Sequence, residues 1–158
     1  MKRLALTLPL VLSGVLGLAQ GNLDAVSFAK PGGEAIVRLE LRLATNAAFN
    51  RPAPNLVRLE NPFKPGQFLE RREFKGTPWP DDAEHYFQSV DPLEFRLPVS
   101  LGVKVGMYPL KFTAELFVCD KVVNVCFKRT LAASGELRVG AGGRDVPGVL
   151  EVGAPDGF

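Results

Sequence analysis

The chain is short of the residues that carry most catalytic and metal chemistry. It has one histidine, two cysteines, two methionines and one tryptophan in 158 residues. Two Cys and one His cannot close a zinc site without a carboxylate or a second chain, and the spacing of Cys119 and Cys126 is not that of a zinc ribbon. Copper favours a richer supply of Met and His. A papain-like nucleophile needs a partnered, oriented histidine, and His85 stands alone in the sequence. No metal and no cofactor is therefore expected. Charge of one sign is lacking too: 19 Lys+Arg face 17 Asp+Glu, with no basic cluster. That balance excludes the electrostatic footprint of a nucleic-acid binder. Beyond the amino terminus no apolar stripe keeps helical period over three turns, which argues against a bundle.

What is present starts with a targeting pattern. Met1, Lys2 and Arg3 precede an uncharged apolar run from Leu4 to Leu18. Gly17 and Ala19 have the small-residue spacing of a signal-peptidase site. Residues 1–20 are read as a signal peptide cut after Ala19 or Gln20, with an uncleaved anchor as the alternative. The run is shorter than the ~20 apolar residues of a membrane span. The mature chain is expected to be periplasmic or extracellular, without stable membrane insertion. Loss of Lys2 and Arg3 leaves 17 cations against 17 anions.

The rest reads as strands. Gly and Pro, 16 and 13 residues, make up about 18% of the chain, against about 12% on average. Val37, Leu39, Leu41 and Leu43 alternate with charged residues, as do Val57 and Leu59. The longest alternation runs from Leu93 to Val103 and contains Pro98, the mark of an edge strand or bulge. Leu110, Phe112, Ala114, Leu116 and Val118 share one face of a further strand. Shorter strands are expected at Phe127–Leu131 and Glu136–Val139. Period-two patterns separated by Gly/Pro turns indicate an all-β, antiparallel sandwich. One domain is expected over residues 21–139, followed by a flexible Gly-rich tail over 140–158.

The chemistry lies in Cys119 and Cys126. One closes an alternating strand and the other opens the next, so a hairpin would bring both sulfurs to one end of the sheet. Export would place them in oxidising surroundings. A staple across so short a loop is worth roughly 2.5 kcal/mol on the chain-entropy model. Reversible exchange is the other possibility, and position alone leaves the two open. Lys121, Lys128 and Arg129 would lower a thiol pKa, and Asp120 would raise it.

At this point the chain from about Val26 to Val139 resembles the DsbD N-terminal domain family of thiol:disulfide interchange proteins. Three stretches carry the resemblance: Phe117-Val118-Cys119-Asp120 with Cys126 following, Trp79-Pro80-Asp81-Asp82-Ala83-Glu84-His85-Tyr86-Phe87 leading into Leu93-Glu94-Phe95-Arg96-Leu97-Pro98-Val99, and an early strand, Pro-containing loops and a short strand. It implies an immunoglobulin-like sandwich whose redox pair is Cys119 and Cys126, capped by Tyr86 and Phe87. It also implies partners: thioredoxin-like exported proteins and a membrane-embedded thiol reductase on a separate chain. The competing expectation is an exported binding or assembly module with a purely structural disulfide.

Overall fold

The computed structural model describes residues 20–153. The expected signal segment, Gln20 apart, lies outside the described residues. These form eleven strands and no helix, so none is long and apolar enough to cross a membrane as a helix. The strands are β1 (Gln20–Ala29), β2 (Glu34–Leu43), β3 (Ala47–Asn50), β4 (Leu56–Glu60), β5 (Phe68–Arg71), β6 (Gly76–Pro78), β7 (Tyr86–Val90), β8 (Leu93–Pro98), β9 (Gly106–Asp120), β10 (Val125–Val139) and β11 (Gly148–Val152).

Two sheets pack face to face, the all-β sandwich that the alternation predicts. The larger runs β1-β10-β9-β3-β7-β6, with β4 pairing β9 beyond β3 and β5 pairing β4. The smaller runs β11-β2-β8. Its edge strand β8 carries Pro98, where a missing donor costs nothing. Inward residues of both sheets form one core, and Phe95 of β8 meets Phe112 of β9 edge-on with ring centroids 5.9 Å apart. The sandwich is not wholly antiparallel: β1 on β10 and β11 on β2 are parallel pairs. Each joins strands far apart in sequence, as parallel pairing requires.

Three expected boundaries move. The alternation from Leu93 to Val103 leaves strand geometry after Pro98, and Leu101 at the following turn is 84% exposed. Phe127–Leu131 and Glu136–Val139 are one strand, because Ser134 and Gly135 pair with Lys111 and Leu110 without a break. Gly135 is what the junction needs there, since a Cβ would stand 2.8 Å from the Cβ of Ala25 on β1. The tail expected from Gly140 is not a tail up to Gly153. Val146 exchanges backbone hydrogen bonds with Val26, and β11 buries Leu150 and Val152 beside β2. A five-residue alternation among glycines gave too few apolar positions for sequence reading to find it.

Candidate disulfide site

β9 and β10 form a hairpin of fifteen cross-strand pairs closed by residues 121–124. Its turn has a local cause. The Asp120 carboxylate accepts hydrogen bonds from the amides of Val122 and Val123 at 2.8 and 3.2 Å, and Asn124 takes a left-handed conformation, φ 56°. Asn tolerates that region better than most residues. The register sets Cys119 directly opposite Cys126, and a disulfide joins them with the Cα atoms 3.9 Å apart.

The two sulfurs have unequal surroundings. Cys119 lies inside the sheet: β3 flanks it through Ala48 and β10 through Cys126, and the residue is 1% exposed. Cys126 is exposed. Among the described residues, β1 meets β10 only from Ala132 onward, so the row holding Cys126 has a strand neighbour on the β9 side alone. Beside it the turn presents Val122, Val123 and Val125, 71%, 55% and 41% exposed.

The expected cap divides. Phe87 pairs with Phe49 and points to the core, where it is 6% exposed and carries the Arg51 guanidinium on its ring, 4.3 Å from the centroid. It is a core residue and does not cover the sulfurs. Inward direction follows from register, because Phe87, Phe49 and Val118 form one cross-strand row on the buried face. Tyr86, one residue earlier, faces the other way, the face that the cysteines share. Its ring holds the Lys121 ammonium 3.9 Å from the centroid, and Trp79 approaches the same ammonium at 5.9 Å. Trp79 is thus part of a ring cluster at the hairpin end. Cys126 is an exposed residue.

The cations near the pair have other partners. Lys121 is over the two rings, and Lys128 pairs with Glu115 at 3.4 Å. Arg129 lies on the core-facing side of β10, its Nε buried without a hydrogen-bond partner. The polar group that does reach a sulfur is Asn50, whose Nδ2 lies 3.8 Å from Cys119 Sγ. Nothing local in the sequence signals this partner 69 residues away. Asn55, also missed, is a buried clamp. Its Nδ2 donates to the carbonyls of Asn50 and Ala53, and its Oδ1 accepts from the amide of Phe117.

The segment 81–85 is a turn capped by Asp82, whose carboxylate accepts from the His85 amide at 3.3 Å and meets His85 Nδ1 at 2.7 Å. The His85 hydrogen bond, against an opposing effect of burial, holds the Asp82 carboxyl below its usual range, with the charges of His85 and Lys121 adding to it. A depressed carboxylate stabilises the fold above its ordinary pKa, and that contribution is lost as pH falls through the lower folded value. Both side chains are exposed, so the effect is small. Asp82→Asn is expected to destabilise above about pH 4, with the difference from the parent vanishing toward pH 2 in urea titrations across that range. A pH-independent difference would show that the carboxylate charge is not involved.

Among the described residues no three His, Cys, Asp or Glu side chains gather to hold a metal ion. A groove of about 660 Å³ runs between Glu70–Lys75 and Asp91–Glu94, and its lining holds neither cysteine. No protein-family model matches the chain, and no curated protein matches it.

Proposed function

We propose that this domain is an exported thiol–disulfide exchange module in which a partner thiolate attacks Cys126 and Cys119 is the leaving sulfur. The single observation that carries the proposal is the asymmetry of the pair, one cysteine exposed at a sheet margin and the other buried. Exchange needs access along the S–S axis to one sulfur only. The partner thiolate bonds to Cys126 Sγ, the Cys119–Cys126 bond breaks, and its electron pair leaves on Cys119. The partner's second thiolate then attacks its own sulfur in the mixed disulfide and expels Cys126. The two thiolates take protons from solvent, the partner is oxidised and this domain is reduced, by two electrons in all. The same steps run backward toward an oxidised acceptor.

Two further points support this function. As a staple the disulfide has little left to do, because fifteen cross-strand pairs already hold the strands it links. The resemblance to the DsbD N-terminal domain family points the same way. On that basis the partners are thioredoxin-like exported proteins and a membrane-embedded thiol reductase on another chain. The three exposed valines supply an apolar contact around the attacked sulfur. Tyr86 is the remaining candidate for an aromatic shield, on the Cys119 side. The decisive experiment is the reduction potential, measured by equilibration with dithiol buffers. We expect a value above about −300 mV. A value well below it would leave the disulfide structural and the valines as the contact surface of a binding module.

A further inference from the structure

We propose that Asn50 stabilises the leaving sulfur of this exchange, donating an N–H···S hydrogen bond to Cys119 as it becomes a thiolate. The inference rests on the exchange function above and adds a residue to it. The amide is oriented by its own network. Asn50 Oδ1 accepts a hydrogen bond from the backbone amide of Ala53 at 3.3 Å, which assigns the oxygen end and leaves Nδ2 as the end that reaches Cys119 Sγ at 3.8 Å. The backbone on either side is fixed as well. The Asn50 carbonyl accepts from Asn55 Nδ2 at 2.7 Å, and the Arg51 amide donates to the His85 carbonyl at 2.9 Å.

The chemistry needs a donor at this place. Cys119 is 1% exposed, so water does not solvate the charge that arrives when the S–S bond opens. Burial alone raises a thiol pKa and makes it a poor leaving group. Lys121 and Lys128, which flank the cysteine pair, are engaged with Tyr86, Trp79 and Glu115. A disulfide sulfur is a weak acceptor and a thiolate a strong one, so the hydrogen bond strengthens as charge develops. A donor of that kind acts on the transition state more than on the ground state.

Asn50→Asp is the informative substitution. It keeps the shape and the oxygen that holds the Ala53 amide, and it removes the N–H donor. Asn50→Ala removes the donor without adding charge. Reduction by excess small dithiol, followed by stopped-flow, is expected to slow about tenfold in Asn50→Ala and further in Asn50→Asp. In the Cys126→Ser background, ultraviolet thiolate absorbance should show Cys119 titrating at higher pH in both variants. A group that only holds the turn would leave Asn50→Ala with parental titration; a shift confined to Asn50→Asp is the effect of its added carboxylate charge and overturns the donor role. Parental behaviour in both variants, with normal exchange by the parent, overturns the role of Asn50 alone. A parent that does not exchange at all overturns the exchange function and this role with it.

Discussion

Cys119→Ser is expected to leave a single exposed thiol, on Cys126, that is captured by disulfide reagents and by a thioredoxin-like monothiol protein activated as a mixed disulfide. Its thiolate attacks the activated sulfur and expels the activating group, and no second cysteine remains to reverse the bond. The reciprocal Cys126→Ser variant leaves Cys119, walled in by β3 and β10, and reaction there must wait for the sheet end to open. Its capture should be slower by on the order of 100-fold, the equivalent of an opening of about 2.7 kcal/mol. Adding Val123→Asp to the Cys119→Ser variant should weaken capture of the protein partner roughly tenfold and leave a small reagent unaffected, because only a protein covers the turn. Mass spectrometry of the adducts reads both results. Equal capture of the two single-cysteine variants would mean that burial does not rank the sulfurs, and attack at Cys126 would have to be abandoned.

Phe49→Ala should be the most damaging single truncation near the site. The residue is 1% exposed, and its ring meets Phe74 at 4.9 Å and Phe87 at 6.4 Å. Removing a buried phenylalanine costs roughly 3–5 kcal/mol, from a total of about 5–15 kcal/mol for an ordinary domain. Phe49 also sits at the centre of a four-residue strand that carries Ala48 and Asn50 to Cys119. The urea midpoint should fall with an unchanged slope. In the Cys126→Ser background the same substitution should speed the labelling of Cys119, since the strand enclosing it is loosened. A loss below about 1 kcal/mol would place the anchoring of β3 elsewhere.

Much of this was legible in the chain. The alternations over β2, β4 and β9 needed no tertiary information, because one face of each strand is wet and the other is core. The meeting of Cys119 and Cys126 followed from one strand ending where the next begins. The rest depended on neighbours brought from far away. β10 looked like two strands because Ser134 and Gly135 interrupt its apolar pattern, yet Gly135 is what lets β1 lie against it. Phe87 looked like a partner for Tyr86, but adjacent residues in a strand face opposite ways, and only the pairing with Phe49 shows which one enters the core. The inequality of the sulfurs is set by where β1 joins the sheet, and the amide at Cys119 comes from Asn50 at the end of the short strand β3, whose composition signals no such contact.

The ladder between β9 and β10 has a kinetic consequence. Reduction cuts one bond in a hairpin whose other pairs remain, so the two thiols stay facing one another at very high effective molarity. A partner attached to Cys126 is therefore exposed at once to attack by Cys119, and an adduct on the intact protein is short-lived whichever way the electrons travel. On the proposed exchange function, the domain is expected to pass electrons in pairs and release its partners quickly, behaving as a relay more than as a trap.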